Sequence, residues 1–422
     1  MHTKCVLSSF ITHQKCYLCR VYVDSTAKES MAVVSQSLPR KSLRESVPLT
    51  KEICDLLERY GYIRNGVLTK GPHRGERAIL SDQLPTAIHL PSSDISDVSW
   101  LIHVEKLDLS KCYNLVDLSP FERGTVKSLT LDWCGRIKDV SPLAGITHLD
   151  LRSCFNITGV ASLAKGCVKS LILSTLNEIS SLKDSTTLKT LKIFWAITTA
   201  ELVTLTGIST LTELWLSDGR RIDDISSVAS SNIQTFRMHL CEALKDVSPL
   251  ANSRTLKYVS LINSQIEDVS VLGTIPTLES LDLTGSMYIT DVSMLQNVKT
   301  LYLNECHGIH SVEGLEKGRI SLLHLDGCHN ITDISTLWKA NHLEQLYIDR
   351  TRVTNISSLG WSTTLRSLSL CCRGIEDVSC LKGCKSLKKI RLPRKIKGVD
   401  MLRDSVTIDM LIKEEIEEGE EI

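Results

Sequence analysis

From residue 88 onward the chain is written in short apolar–polar–apolar triplets that return at near-constant spacing. They begin at Ile88, Leu107, Leu129, Leu149, Leu171, Leu191, Leu214, Phe236, Val259, Leu281, Leu301, Leu323, Leu346, Leu368 and Ile390. The first and last lie 302 positions apart over 14 intervals, a period of about 22 residues, within the range of stacked-repeat proteins. Alternation over three residues predicts a short strand with one buried face. Repetition in phase predicts that each strand lies beside its counterpart in the next turn of a coil, because a single turn has nothing against which to bury its apolar face.

The residues between triplets follow a second pattern. Leu129–Leu143 reads LTLDWCGRIKDVSPL, and Leu107–Phe121 (LDLSKCYNLVDLSPF), Leu301–Leu315 (LYLNECHGIHSVEGL) and Leu323–Leu337 (LHLDGCHNITDISTL) repeat it. Five residues after the first leucine stands a small, mildly polar residue: Cys112, Cys134, Cys154, Cys241, Cys306 and Cys328, or Ser264 and Ser286. At the exit from the strand, such an inward group can satisfy backbone groups of adjacent coils, which burial requires. Ile137, Ile289, Ile331 and Ile375 then return to the core. Asp-Val-Ser-Pro-Leu closes the outer side, with Asp bonding nearby backbone N–H groups and Pro120, Pro142 and Pro249 pre-setting a tight turn. The outer segment is too short for a helix in most copies, so 3₁₀ turns or extended chain are expected there. Ile197–Leu205 (ITTAELVTL) differs and reads as a short outer helix.

These motifs resemble the leucine-rich-repeat superfamily over roughly Ile88 to Val399, in its short-repeat form with cysteine columns. The D-V-S-P-L turns are similar, more narrowly, to leucine-rich-repeat proteins of kinetoplastids, among them a group named as adenylate-cyclase regulators and associated with an amino-terminal RING finger. The resemblance implies an α/β solenoid, a leucine-rich-repeat horseshoe with a parallel concave β-sheet and short 3₁₀ or irregular outer turns. Near its start this chain has only Cys16-x-x-Cys19, without the second paired motif that a structural zinc site requires. Cys5, His13, Cys16 and Cys19 are therefore read as free side chains, and no metal ligand or cofactor is assigned.

Outside the repeats the pattern changes. Residues 1–47 are Ser- and Lys-rich without period and read as a disordered tail. Residues 48–86 are expected to form a helical amino-terminal cap, with Ile53, Leu56, Leu57 and Tyr60 on one face, Thr50 as N-cap and Gly61 as stop. Residues 87–398 hold a solenoid of about 14–15 repeats, and residues 399–422 a carboxyl-terminal cap, in which Ser405–Ile412 can add a last strand, followed by an acidic tail.

Composition narrows the classes further. With 49 basic and 49 acidic residues the net charge is zero, which argues against general attraction to nucleic acid or a membrane surface. The basic run from Lys382 to Lys397 is read as a solvated face, with a nucleic-acid patch or a nuclear-import signal as its alternatives. No run approaches the roughly 18 apolar residues of a membrane span. Six of the 15 cysteines occupy the inward column, and the amino terminus has no signal-peptide core, so a reducing, cytoplasmic location is expected. The cluster Cys371, Cys372, Cys380 and Cys384 is the one candidate for a disulfide.

Candidate chemistry then lies on the side chains that alternate out of the core. Aromatics are 5% of the chain, so those predicted on the concave face carry information. Phe194, Trp215 and Tyr258, with Arg237 and His239 between them, form one set, and Tyr302, His324 and Tyr347 a second. Trp, Tyr and Arg dominate interface energy because they bury large area with little entropy to lose and keep a polar handle. Trp215 and Arg237 fall on adjacent strands, placed to stack. His324, Asp326, Cys328 and His329 are close in sequence, but the repeat accounts for each position, and no P-loop, dinucleotide fingerprint or H-E-x-x-H motif occurs. The expected function is a non-enzymatic, monomeric scaffold that binds a protein partner on its concave face. The alternative, implied by the resemblance, is a regulatory or substrate-receptor subunit of a ubiquitin ligase or adenylate cyclase.

Overall fold

A computed structural model of the chain describes residues 63–64, 67–68, 87–92, 95–99, 101–174, 178–393, 396–403 and 406–410. The expected tail 1–47, the helical face Ile53–Tyr60, the residues beyond 410, and Cys5, His13, Cys16 and Cys19 lie outside these. Within segment 48–86 the described residues are strands, β1 (Ile63–Arg64) and β2 (Val67–Leu68), paired antiparallel. The chain divides into two compact units, Met1–Trp195 with Ile208–Leu211, and Ala196–Gly207 with Thr212–Ile422.

In the first unit the triplets form strands β3 (Ala87–His89), β4 (Lys106–Asp108), β5 (Ser128–Thr130), β6 (His148–Leu151), β7 (Ser170–Leu173) and β8 (Thr190–Ala196), paired parallel in chain order. In the second they form β9 (Glu213–Asp218), β10 (Thr235–His239), β11 (Tyr258–Ile262), β12 (Ser280–Asp282), β13 (Thr300–Tyr302), β14 (Leu322–His324), β15 (Gln345–Tyr347), β16 (Ser367–Ser369), β17 (Lys389–Leu392) and β18 (Thr407–Met410), again parallel and in order. The register matches like with like: Leu281, Leu301, Leu323, Leu346, Leu368 and Ile390 pair in succession. β18 comes from the segment expected to add a last strand. This is the α/β leucine-rich-repeat solenoid that the spacing predicts.

Three columns of interactions explain why this sequence coils. Both leucines of each triplet are buried, as at Leu301 and Leu303, and burying a leucine is worth about 1.5–3 kcal/mol. The cysteines at the strand exit form the second column. Cys134 Sγ donates to Leu109 O at 3.2 Å, Cys154 to Leu131 O at 3.2 Å, Cys306 to Leu283 O at 3.1 Å and Cys328 to Leu303 O at 2.9 Å, each reaching the preceding coil. Ser286 Oγ reaches Leu261 O at 3.4 Å in the same way. Burial pushes these thiols up, to about 12 at Cys154, Cys306 and Cys328, so they act as small hydrogen-bond donors rather than nucleophiles.

The third column is the outer turn. Ser119, Ser141, Ser248, Ser270, Ser293, Ser335 and Ser379 each donate a backbone N–H at 2.7–2.9 Å to the aspartate two residues earlier. The outer segments are mostly 3₁₀ turns, with Pro120, Pro142 and Pro249 in the first turn of three of them. Three are short α-helices, α1 (Val160–Lys165), α2 (Thr199–Thr206) and α3 (Ser226–Ala229). The expected outer helix is α2, where Thr198 accepts from Glu201 N–H and the Glu201 carboxylate from Thr198 N–H. That reciprocal cap holds a helix too short to persist alone.

Candidate partner-binding face

The residue between the two leucines points away from the core, as does the residue after them. Trp215, Arg237, His239, Tyr302, His324, Tyr347 and Phe194 lie there, Tyr258 lies in the column just before the triplet, and all eight are half-buried rather than fully exposed.

In the second unit Trp215 and Arg237 are direct neighbours on β9 and β10, and Tyr258 starts β11 on the far side. The Arg237 guanidinium carbon lies 5.8 Å from the Trp215 ring centroid and 4.4 Å from that of Tyr258, so the cation sits between two π faces. His239, two residues on along β10, packs its ring 5.9 Å from Trp215. Burial, with the Arg237 charge adding to it, holds the His239 imidazole below its ordinary pKa. Burial likewise raises the Tyr258 phenol. Arg237 Nε is buried without an acceptor among the described residues.

The second set is a different object. Tyr302, His324 and Tyr347 are in direct register on β13, β14 and β15. Their rings stack, with centroids 4.9 Å apart at 25° and then 4.0 Å apart at 3°. His324 Nδ1 faces Asp326 Oδ2 at 3.6 Å. The next column is tied into the scaffold: Asn304 Oδ1 accepts from Asp326 N–H at 3.1 Å, Asp326 Oδ1 from Asp349 N–H at 2.8 Å, and Asp349 Oδ1 from Cys371 N–H at 2.7 Å. Those carboxylates hold coil to coil and thereby fix the platform under the stack.

Phe194 belongs to the first unit, where the Arg152 guanidinium carbon lies 5.8 Å from its ring. Arg152 is itself held by Asp150, with Nη2 to Oδ2 at 2.7 Å. Phe194 is thus described with Arg152, and the other four members of its set with one another.

The most exposed aromatics of the first unit lie elsewhere, and the triplet columns do not reveal them. Tyr113, Trp133, Phe155 and Trp195 are 46–54% exposed. Trp133 and Trp195 stand four residues after the first leucine of their repeats, Tyr113 and Phe155 six after. Tyr113, Trp133 and Phe155 are on the turn that leaves the sheet, and Trp195 is among the last residues of β8. Phe155 and Trp195 meet edge to face at 6.0 Å. The same two columns in the second unit hold Glu305, His307 and His329. Reading the turn columns as well as the strand columns would have found all of them. Cys372 was also missed as an inward residue, because it stands four rather than five residues after the first leucine of its triplet: its Sγ donates to Ile348 O at 2.9 Å. Cys371, Cys372, Cys380 and Cys384 are free thiols. Cys328 faces the core, while His329 lies on the turn with Nδ1 against Arg350 O at 2.9 Å, so the sequence neighbours His324 to His329 do not converge. In the basic run, Arg391 Nη1 lies 4.0 Å from Asp349 Oδ2, and Arg394 and Lys395 are outside the described residues.

No family model matches the chain, and no curated protein matches it in sequence. Among solved structures, an internalin from Listeria monocytogenes is 18% identical, the match covering 80% of this chain and 92% of the internalin with a TM-score of 0.43. The functional domain of InlJ from the same organism, which includes a cysteine ladder, is 18% identical over 74% of each chain with a TM-score of 0.41. The leucine-rich-repeat ectodomain of the Arabidopsis thaliana receptor kinase GASSHO1/SCHENGEN3, solved with CASPARIAN STRIP INTEGRITY FACTOR 2, is 16% identical over 74% of this chain and 45% of its own, with a TM-score of 0.38. The leucine-rich-repeat solenoid fold of this chain rests on its own strand register and turn geometry. No helix among the described residues is long and apolar enough to cross a membrane.

Proposed function

We propose that this chain is a non-enzymatic, monomeric scaffold that binds a protein partner on the concave face of its sheet. The observation that carries the reading is the Trp215–Arg237–Tyr258 sandwich. Rigid strands hold a permanent cation and two large rings where a partner can reach them, so little side-chain entropy is lost on binding. A cytoplasmic, reducing location fits the free thiols of the inward column.

The test is affinity capture with mass spectrometry, comparing the native chain with Trp215→Ala/Arg237→Ala. Loss of a partner, with circular dichroism and melting unchanged, supports the reading; a full set of partners on the double variant refutes it. The kinetoplastid-like turns favour a second reading, a regulatory or substrate-receptor subunit acting through residues 1–86. Deleting those residues would then abolish association with the enzyme while leaving concave-face binding intact.

A further inference from the structure

Outside the concave face, the turn columns of two adjacent coils bring together a glutamate and two histidines. Glu305 stands four residues after Leu301, and His307 and His329 stand six after Leu301 and Leu323. Their donor atoms all lie within 4.8 Å of one another. The two imidazoles stack with centroids 5.0 Å apart at 20°. Glu305 Oε2 faces His307 Nε2 at 3.9 Å, too long for a hydrogen bond. We propose that Glu305, His307 and His329 bind one divalent transition-metal ion of the zinc class across the coils of β13 and β14.

Four features carry this. First, His329 Nδ1 lies 2.9 Å from the Arg350 carbonyl oxygen. A carbonyl only accepts, so Nδ1 bears the hydrogen and Nε2 keeps its lone pair; a carbonyl that accepts from the far nitrogen in this way commonly orients a ligating histidine. Second, the carboxylate is divided between two roles. Arg350 Nη2 holds Oε1 at 2.8 Å and leaves Oε2 turned towards His307. Third, Gly327 makes room for that arrangement. It lies between Glu305 and Arg350 in the stack with φ of +76°, and a Cβ there would stand 2.6 Å from Glu305 Oε1. Fourth, His307 Nδ1 is buried without a hydrogen-bond partner among the described residues, so no bond on that side of the ring fixes a tautomer against ligation.

Zinc bonds of about 2.0–2.2 Å place neighbouring tetrahedral ligands roughly 3.4 Å apart. The Glu305–His307 gap is near that value, and bringing in His329 takes a rotation of an exposed ring. Two imidazoles and one carboxylate select zinc, nickel, cobalt or copper over magnesium and calcium. The Arg350 charge beside the carboxylate offsets part of its attraction for a cation, so micromolar rather than tighter affinity is expected. Three protein ligands leave a fourth position for water or a partner's side chain, on the coils that also carry Tyr302 and His324.

The test is calorimetric titration of zinc chloride into the full chain carrying Cys5→Ser, Cys16→Ser and Cys19→Ser, so that amino-terminal thiols contribute nothing. One equivalent should bind, magnesium chloride should give no binding, and His329→Ala should weaken zinc by about 100-fold with its melting temperature unchanged without metal, since this ring is exposed. His307→Ala should do the same. Absence of zinc binding, or binding unaltered in the His307→Ala/His329→Ala variant, would overturn the proposal.

Discussion

The sandwich on β9–β11 and the stack on β13–β15 share the column between the two apolar residues of the triplet, yet they are built differently, the first adding Tyr258 from the column before and His239 from the column after. β9, β10 and β11 run for six, five and five residues, whereas β13, β14 and β15 run for three each. A five-residue strand presents three outward positions, as Thr235, Arg237 and His239 do on β10, so His239 can pack beside Trp215. A three-residue strand presents two, and on β13–β15 rings occupy only the second of them, so they align in a row. The first arrangement holds a permanent charge between rings; the second is a π-stack whose titratable member is one histidine beside Asp326. Irregular repeats thus create a chemically mixed site, and regular repeats create a uniform one.

The largest effects should come from the supports beneath the two sites. Phe236 is fully buried directly between Thr235 and Arg237, and Leu323 is fully buried between the first and last residues of β14. Phe236→Ala should cost about 3–5 kcal/mol and Leu323→Ala about 2–5 kcal/mol, measured by chemical denaturation. Only Phe236→Ala should also abolish partner binding if the sandwich is the site. Equal loss from both would mean that the whole face binds and that the comparison is wrong.

Binding itself should separate the two regions next. Trp215→Ala should weaken the partner by about 2 kcal/mol or more, as truncation of an interface anchor does. Tyr347→Ala should weaken it less, because that ring's contacts are with its own stack. Surface plasmon resonance on the captured partner checks both, and the reverse order would move the site to β13–β15.

The cysteine column offers a smaller and sharper contrast. Cys328 Sγ donates across coils to Leu303 O at 2.9 Å, but Cys241 donates within its own coil to Met238 O at 3.0 Å. Cys328→Ala removes one of two donors to the Leu303 carbonyl of the preceding coil, the other being Cys306 N–H, and should cost about 1 kcal/mol. Cys241→Ala should cost less, and Cys328→Ser should recover most of the loss, since Ser286 already serves in the same place. Melting temperatures decide this, and equal costs at both cysteines would show that the inter-coil bond adds nothing.

The smallest effect is a pH dependence. His239 is held neutral in the folded chain by burial and by Arg237, below its ordinary range. The unfolded chain takes up that proton at about pH 6.5. Its contribution to stability is therefore present above that pH and is lost as the pH falls towards the folded value. The native chain should lose more melting temperature than His239→Gln between about pH 7.5 and about pH 5.5. Identical slopes would show that His239 does not couple to folding.

Most of the fold was legible because a repeated sequence repeats its evidence. The strand period, the Asp–Ser turns, the inward cysteines and the helix at Thr199–Thr206 each follow from local spacing. The stacking of Trp215 and Arg237 was legible for the same reason, since register follows from period, whereas Arg237 pairs in register with Ser260 and reaches Tyr258 diagonally. What escaped depended on side-chain reach. Phe155 meets Trp195 some 40 residues on, and Glu305 reaches Arg350 across Gly327. Those contacts link second-nearest coils through turn columns, where no apolar alternation marks a position. Cys372 escaped because it stands four rather than five residues after the first leucine of its triplet.

The most direct test of the account is the partner comparison on the sandwich. Trp215→Ala/Arg237→Ala should lose a specific protein that the native chain and Tyr302→Ala/Tyr347→Ala both retain, at unchanged circular dichroism. Retention of every partner by the Trp215→Ala/Arg237→Ala variant would contradict the claim that this mixed aromatic and cationic patch is where the chain binds.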